Sequence, residues 1–422
     1  MSLLIRNGRV IDPANKRDDI FDVLVVEGKI ESVGRGISKS VDTIINAEGC
    51  WVTPGFIDLH AHLREPGFEY KETVVTGSRA AVRGGFTTIC CMPNTNPVID
   101  SQETVEYVFS KSGGYAKVLP IGSITLGQNG ESLSDMALLK NAGVCGFSED
   151  GKSVMHTQLM KQAFEKVAAL NLPIFDHCEE ISLISGGVIN EGSASRRLFL
   201  PGMPALAEDL ITARDLLLAE HAGAKIHLCH ISTARSAALL KEAKARGVKA
   251  TGEVCPHHFS LCDEDILSDD GMFKMNPPLR SKYDMEAMLQ ALSEDVISVI
   301  ATDHAPHSEV EKSGGFLKAA FGITGLETAL GLCVTNLINT GILSPYQLIE
   351  KLTVNPAKVL GIDSGTLSEG AMADITITDP KCQWTVEPLE FYSKGKNTPF
   401  KGKRLSGMVR YTLVNGRIVY GD

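Results

Sequence analysis

The residues with the clearest chemical potential are histidines and aspartates that follow short apolar runs. His60 and His62 end the run 55–63, and strand residues two apart share a face, so their imidazoles can converge on one point. The same residue types follow later apolar runs, at Asp150, His177, His230 and Asp303. Imidazole and carboxylate suit Zn²⁺ and related divalent ions. Any one of these residues could instead be a hydrogen-bonded pocket residue, but together they predict a site for one or two zinc ions.

Such a site would activate water. A divalent metal with an open coordination position lowers the pKa of bound water to about 7 and so generates hydroxide at neutral pH. Asp303, after the last apolar run, is placed to carry a proton between water and a leaving nitrogen. The alternative for Asp303 is a purely structural ligand or a cap for the next segment. We predict metal-assisted hydrolysis with Asp303 as the proton shuttle.

The elements that would position these residues are eight apolar runs alternating with helix-like stretches between residues 53 and 357. The runs are 55–63, 86–92, 118–124, 143–147, 173–177, 225–230, 249–254 and 296–301. Eight β-then-α units predict an α/β fold of the (β/α)8 TIM barrel type, in which functional residues lie at the C-terminal ends of the strands. A doubly wound open sheet is the competitor, but no Gly-x-Gly-x-x-Gly turn follows an early run.

The two ends of the chain have a different character. Short strand-like runs are joined by Asn-Gly or Glu-Gly pairs, which are typical of antiparallel hairpins, and Asn-Gly-Arg followed by Val or Ile occurs at Asn7 and at Asn415. Either set of strands would be marginal alone. We therefore predict a composite β-sandwich domain from residues 1–52 and 358–422, with the catalytic barrel at 53–357.

Composition limits the classes of function. The 422 residues carry 41 Lys and Arg against 51 Asp and Glu, and the net charge of −10 gives no footprint for nucleic acid or an anionic membrane surface. No signal-peptide core or stretch of about 20 apolar residues is present. The ten cysteines do not form a disulfide framework in so long a chain. We predict a cytoplasmic protein with no nucleic-acid or membrane partner.

Four segments together resemble the dihydroorotase family of the amidohydrolase superfamily, in its long bacterial class. They are 55–67, 92–95 (Met-Pro-Asn-Thr), 276–280 (Asn-Pro-Pro-Leu-Arg) and 302–307 (Thr-Asp-His-Ala-Pro-His), and the similarity covers nearly the whole chain. Asp-x-His-x-His alone marks only the superfamily. The resemblance implies the reversible cyclisation of N-carbamoyl-L-aspartate to L-dihydroorotate in pyrimidine biosynthesis.

The resemblance also implies a metal-ligand set. His60 and His62 with Asp303 would hold the more buried metal, His177 and His230 the second, and Asp150 would bridge them. Many relatives in the superfamily bridge their metals with a carboxylated lysine, whereas an aspartate stands here. Lys152 and Cys178 are the alternatives, as a modified lysine and as a thiolate that could take up zinc.

Substrate recognition follows from charge. N-carbamoyl-L-aspartate and L-dihydroorotate share a carboxylate that does not react, and the planar guanidinium of Arg64 could bind it through two parallel hydrogen bonds. The alternative is a solvated or partner-facing arginine. The resemblance adds Asn94, Asn276, His307 and the backbone of Phe321 and Gly322 as substrate contacts. Segments 191–202 and 308–315, rich in glycine, serine and charge, could be mobile loops over the site.

Two further functions stay open. Another cyclic-amide hydrolase, such as a dihydropyrimidinase or allantoinase, would act on substrates without a matching carboxylate, so Arg64 and Asn94 argue against it. A structural dihydroorotase-like subunit of an aspartate transcarbamoylase assembly would have lost its metal ligands, which are all present here. The resemblance nevertheless makes aspartate transcarbamoylase a partner hypothesis, and we expect a homo-oligomer.

Overall fold

The N-terminal segment is built from β-strands whose buried positions carry aliphatic side chains. The structure is a computed structural model that describes residues 2–421. The strands of the N-terminal segment are β1 (Ser2–Asp12), β2 (Arg17–Val26), β3 (Lys29–Gly34), β4 (Thr43–Asn46) and β5 (Trp51–Pro54). Glu27 and Gly28 form a two-residue hairpin turn between β2 and β3. Asn7 and Gly8, predicted as a turn, instead lie inside β1 at a bulge opposite β2. That interpretation was wrong because pairing with β2 continues on both sides of the Asn-Gly pair.

Each predicted apolar run of the central segment contains a strand. The strands are β6 (Phe56–Ala61), β7 (Phe86–Cys91), β8 (Lys117–Pro120), β9 (Gly122–Ser123), β10 (Phe147–Ser148), β11 (Pro173–Asp176), β12 (Ile189–Asn190), β13 (Gly202–Met203), β14 (Lys225–Leu228), β15 (Ala250–Val254) and β16 (Val299–Ile300). Run 143–147 yields strand only from Phe147 onward, because Gly143 adopts a left-handed conformation (φ 109°) that caps the preceding helix. Strand length is thus the property that the sequence predicted least well.

The central strands pair in parallel. Neighbours follow the orders β6-β7-β8 and β9-β10-β11-β14-β15-β16, while β12 and β13 form a separate pair. Only Ile121 separates β8 from β9. On the side of β6 away from β7, Ala61 forms a parallel bridge with His304. The His304 carbonyl also accepts a hydrogen bond from the His62 amide at 2.8 Å. The chain after β16 therefore lies beside the end of β6.

Helices alternate with these strands. They are α1 (Val74–Arg83), α2 (Gln102–Lys111), α3 (Met136–Ala142), α4 (Thr157–Leu170), α5 (Ile181–Ile184), α6 (Ser193–Leu198), α7 (Leu206–Ala222), α8 (Ala234–Ala245), α9 (Pro256–Ser260), α10 (Lys282–Ser293), α11 (Glu309–Lys312), α12 (Gly315–Lys318), α13 (Ala329–Cys333), α14 (Pro345–Leu352) and α15 (Val354–Leu360). Loops 191–202 and 308–315 contain α6 and α11. Within the described part of the chain, no helix has the length and apolarity needed to span a bilayer.

The central strands are buried along most of their length because both of their faces are covered. In β7, Ile89 and Cys91 belong to one buried cluster, whereas Cys90 and the following Met92 belong to another. A strand that is buried on both sides reads as a continuous hydrophobic run rather than as an alternation. This burial places the polar groups that end each strand in a dry environment.

The C-terminal strands complete the N-terminal sheet. β17 (Ile375–Thr385), β18 (Arg404–Val414) and β19 (Arg417–Tyr420) extend it in the order β19-β18-β17-β5-β1-β2-β3, with β4 paired to β1. Asn415 and Gly416 form the hairpin turn between β18 and β19. Ile375 and Leu413 share a buried cluster with Leu3 and Val23. Both ends of the chain therefore contribute to one sheet and one core.

Candidate active site

The six residues predicted as metal ligands lie at or just beyond the ends of parallel strands. Each is at most 5% exposed, and they follow or end β6 (His60, His62), β10 (Asp150), β11 (His177), β14 (His230) and β16 (Asp303). The carboxyl ends of parallel strands meet at one edge of a sheet. The structure accordingly brings together residues that are up to 243 positions apart in the sequence.

Asp150 and Asp303 face the imidazoles of β6. His62 Nε2 lies 3.2 Å from Asp303 Oδ1 and 3.3 Å from Asp150 Oδ2, and His60 Nε2 lies 3.3 Å from Asp150 Oδ1 and 3.5 Å from Asp303 Oδ1. Two ligand atoms that are each about 2.0–2.1 Å from a tetrahedral ion are separated by roughly 3.3 Å. These separations fit a cation between the four side chains.

A second pair of histidines lies on the other side of Asp150. His177 Nδ1 and His230 Nε2 are 2.9 Å apart, and they lie 3.5 Å and 3.4 Å from Asp150 Oδ1. Asp150 is therefore shared between two groups of imidazoles.

The protonation pattern favours a cation. His62 Nδ1 donates to Asn94 Oδ1 at 2.8 Å, which leaves the lone pair of Nε2 facing two carboxylates. A lone pair in that position is repulsive unless a positive charge lies between. Within residues 2–421, His60 Nε2, Asp150 Oδ1 and His177 Nε2 are buried without a hydrogen-bond partner. The residues present thus fit a bound divalent ion.

The electrostatics agree with this fit. Burial alone would lower the pKa of His60, but the Asp150 carboxylate outweighs it and raises that pKa well above its ordinary value. Burial alone would raise the pKa values of Asp150 and Asp303, yet the surrounding histidines lower both. Burial lowers the pKa of His62, so this imidazole is neutral. The pocket holds ionised carboxylates and prefers positive charge at its centre.

Glu253 on β15 orients the cluster from behind, and sequence reasoning missed it. Its carboxylate accepts from His60 Nδ1 at 2.8 Å and from His227 Nε2 at 3.0 Å. Burial opposes ionisation, but these hydrogen bonds lower the pKa of Glu253 to about 2. Because a carboxylate only accepts, His60 keeps its proton on Nδ1 and turns Nε2 toward Asp150. A glutamate inside an otherwise apolar strand was the sequence pattern that could have revealed it.

Asp58 supports the opposite side of the site. Its carboxylate accepts from the Thr302 amide at 2.9 Å and from the Thr302 hydroxyl at 2.6 Å, directly before Asp303. Burial raises the pKa of Asp58 to about 7. Asp58 therefore ties the end of the last strand to the first.

Arg64 is a buried guanidinium without a carboxylate partner in the described chain. It is 9% exposed, and its Nε donates to the Pro306 carbonyl at 3.3 Å. A terminal nitrogen lies 3.3 Å from His307 Nε2, which itself donates to the Phe321 carbonyl at 2.8 Å. Burial and the charge of Arg64 lower the pKa of His307 to about 3, so this imidazole is neutral. The positive charge of Arg64 is available for an anionic ligand.

The remaining residues predicted to contact substrate lie around this cluster. Asn276 lies near Glu179, whose carboxylate is 3.6 Å from His177 Nε2, and His177 and Asn276 together lower the pKa of Glu179. The Gly322 amide donates to the Lys274 carbonyl at 3.0 Å. An added Cβ at Gly322 would come within 2.6 Å of Ala305 Cβ, and the residue has a φ of 127°. Only glycine fits at position 322, because the backbone there lies too close to Ala305 for a side chain.

The two alternative ligands point elsewhere. Lys152 Nζ donates to the Gln128 carbonyl at 2.8 Å. The thiol of Cys178 donates to Asp176 Oδ2 at 3.2 Å, and burial raises its pKa well above the ordinary value. Cys178 is therefore a protonated thiol rather than a thiolate ligand.

A separate buried cluster follows β15. The ligand atoms of Cys255, His257 and His258 lie within 4.8 Å of one another. His258 Nε2 donates to the Pro277 carbonyl at 3.0 Å, and burial lowers the pKa of His258 to about 4. Both histidines are neutral groups in the interior.

Comparisons with known proteins cover the entire chain. A family model described as dihydro-orotase-like matches residues 49–236, and an amidohydrolase family model matches residues 207–420. The chain is 49% identical to a dihydroorotase of Pelotomaculum thermopropionicum, with 100% of this chain and 99% of the relative covered. It is 48% identical to a dihydroorotase of Acetivibrio thermocellus, with 99% and 98% covered.

Similar solved structures include hydantoinases. An L-hydantoinase (dihydropyrimidinase) from Arthrobacter aurescens superposes with a TM-score of 0.89 at 24% identity, covering 99% of this chain and 96% of that one. A D-hydantoinase (dihydropyrimidinase) from Thermus sp. gives a TM-score of 0.84 at 25% identity, covering 100% and 95%. The first of these likenesses, at under 25% identity, shows a shared α/β amidohydrolase fold and nothing further.

Proposed function

The chain belongs to the dihydroorotase family of amidohydrolases, and we propose that it interconverts N-carbamoyl-L-aspartate and L-dihydroorotate at the strand-end cluster. The observation that carries this proposal is the juxtaposition of a histidine and aspartate cluster with Arg64, a buried guanidinium that lacks a carboxylate partner within residues 2–421. The cluster supplies hydrolytic chemistry, and the guanidinium selects a substrate that carries a carboxylate.

We propose zinc-class ions as the cofactor. His60, His62 and Asp303 would hold one ion, His177 and His230 a second, and Asp150 would lie between them. Such an ion acts as a Lewis acid and makes water a nucleophile near neutral pH. The donor set of imidazoles and carboxylates supports zinc, as do the unpaired ligand atoms of His60, Asp150 and His177.

Asp303 is the proposed proton carrier. Nearby histidines lower the pKa of its carboxyl group, so Asp303 is in the deprotonated form that a general base requires. In the hydrolytic direction it takes a proton from the attacking water and delivers it to the leaving ring nitrogen. In the cyclisation direction the same carboxylate takes a proton from the attacking nitrogen and delivers it to the departing hydroxide, which leaves as water.

Arg64 and His307 are the proposed carboxylate readers. A guanidinium binds a carboxylate through two parallel N–H donors, and burial strengthens such bonds by excluding water. Asn94 Oδ1 accepts a hydrogen bond from His62 Nδ1 and so fixes the orientation of the His62 ring beside this charge. Dihydropyrimidinase and allantoinase chemistry is disfavoured because those substrates would leave the buried charge of Arg64 without a counter-ion.

For the architecture, we propose a closed (β/α)8 barrel over residues 53–357 and a β-sandwich domain from 1–52 and 358–422. Closure is supported by the hydrogen bond from the His62 amide to the His304 carbonyl, which joins the ends of the first and last strands. Self-association and binding to aspartate transcarbamoylase remain predictions, and light scattering with and without that enzyme would test both.

The direct test measures hydrolysis of L-dihydroorotate, with dihydrouracil and allantoin as controls and with metal analysis before and after chelation. We expect turnover of dihydroorotate alone, loss of activity on chelation, and recovery with Zn²⁺. Faster turnover of dihydrouracil or allantoin would refute the substrate assignment, and full activity of a metal-free sample would refute the cofactor assignment.

A further inference from the structure

Lys312 is an enclosed lysine whose ammonium group points at backbone rather than at solvent. It ends α11 and is 2% exposed. Its Nζ donates to the carbonyl oxygens of Lys274 at 2.9 Å, Ala320 at 2.8 Å and Gly322 at 2.8 Å. The proposed reaction does not use this side chain.

The three carbonyls match the donors of the ammonium group. An ammonium has three N–H donors and no acceptor, whereas a neutral amine has only two N–H groups. No carboxylate within residues 2–421 forms an ion pair with Nζ, and burial beside the Lys274 ammonium lowers the pKa of Lys312 to about 7. Burial therefore destabilises the charged form of Lys312, and the carbonyl dipoles around Nζ are the groups that stabilise it. One side chain fastens three segments together.

The fastened segments carry the proposed carboxylate site. Ala320 and Gly322 flank Phe321, whose carbonyl accepts the hydrogen bond from His307 Nε2. That nitrogen lies 3.3 Å from the Arg64 guanidinium. The Gly322 amide also donates to the Lys274 carbonyl, so the backbone repeats the connection made by the ammonium. A shift of 320–322 would pass directly to His307 and then to the guanidinium.

We propose that Lys312 is a positioning residue for substrate recognition, because its ammonium clamps residues 320–322 to Lys274 and thereby sets the placement of His307 and Arg64. The consequence for substrate rests on the proposed function, whereas the clamp itself is a property of the substrate-free protein. The reacting end of the site, around Asp303, lies outside the clamp. Loss of Lys312 should therefore weaken substrate binding more than it slows turnover.

The test compares Lys312→Met, which removes the three donors but keeps an unbranched chain, with Lys318→Met as the matched control. Lys318 is an exposed lysine of the same segment. Amide hydrogen exchange of the metal-loaded, substrate-free protein measures whether residues 320–322 are held in place. Steady-state kinetics with L-dihydroorotate measures the effect on substrate binding and turnover. We expect faster exchange confined to peptides covering 305–323, with KM raised about tenfold or more and kcat close to that of the wild type.

Unchanged exchange in Lys312→Met would overturn the clamp whatever the protein hydrolyses. Faster exchange with an unchanged KM, or an equal loss in Lys318→Met, would overturn the positioning role. If Lys312→Met does not fold, Lys312→Gln keeps two N–H donors and should show the same pattern with a smaller rise in KM. Absence of dihydroorotate turnover in the wild type would refute the proposed function, while the exchange measurement would still decide on the clamp.

Discussion

Replacing Arg64 by alanine tests the basis of substrate choice. The side chain is 9% exposed, lies beside His307 and has no carboxylate partner in the described chain, so its charge is positioned for a ligand. Arg64 has a φ of 63°, in the left-handed region that is unfavourable for any residue with a Cβ, so alanine meets the same conformational cost as arginine. Alanine therefore removes the guanidinium without changing the conformational demand at this residue.

The magnitude follows from the two hydrogen bonds that a guanidinium makes to a carboxylate. Each charge-assisted bond contributes about 1.5–3 kcal/mol, and water entering the vacated space recovers part of the sum. A net loss of about 3–4 kcal/mol corresponds to an increase in KM for L-dihydroorotate on the order of 10²- to 10³-fold. Lysine at this position keeps the charge but not the planar pair of donors, so Arg64→Lys should lose about tenfold.

The assay measures kcat and KM of both variants for L-dihydroorotate, and kcat/KM for dihydrouracil, which lacks the carboxylate. Metal content must equal that of the wild type, because His62 lies two residues away. We expect the loss to be confined to dihydroorotate. Equal losses for the two substrates, or a wild-type KM in Arg64→Ala, would show that the guanidinium does not read the carboxylate.

Three other perturbations test the proton carrier, the orientation of a metal ligand and the pH dependence of stability. Asp303→Asn should fold but lose on the order of 10²- to 10⁴-fold in kcat, because the proton carrier is gone. Thermal unfolding and kcat measurements together check this prediction. Near-normal turnover would contradict the assignment. Glu253→Leu removes both carboxylate oxygens, including the one that accepts from His60 Nδ1 and keeps the proton on that nitrogen. Metal affinity should therefore fall by about 10- to 100-fold, measured by competition with a chromogenic chelator, and unchanged affinity would argue against this orienting role. Burial lowers the pKa of His258 from 6.5 to about 4. Between these two values the unfolded chain binds a proton that the folded chain does not. The contribution of this group should therefore lower the free energy of unfolding by about 2 kcal/mol between pH 7 and pH 5. Urea denaturation at both pH values checks the last prediction, and the same pH dependence in His258→Asn would refute it.

Local patterns predicted most of the strands and which histidines and aspartates end them. Alternation along 55–63 places His60 and His62 on one face, and each apolar run contains a strand, although the short strands β12 and β13 lie outside the predicted runs. Strand ends were harder to predict, because a left-handed Gly143 shortens one run and the Asn7–Gly8 pair forms a bulge rather than a turn. In both cases a neighbouring element, α3 or β2, decided the local conformation.

The sequence by itself determined which residue types end the strands, because the period-two geometry of a strand is a local property that nearby residues encode. Only the tertiary structure decided which distant groups complete the site. Glu253 reaches His60 across 193 positions, and Arg64 meets the Pro306 carbonyl across 242. The absence of an ion pair for Arg64, within residues 2–421, depends on every segment packed around it. These groups meet because the ends of the parallel strands are packed side by side and water is excluded between them. The packing of the whole chain decides both conditions, and no local pattern encodes them.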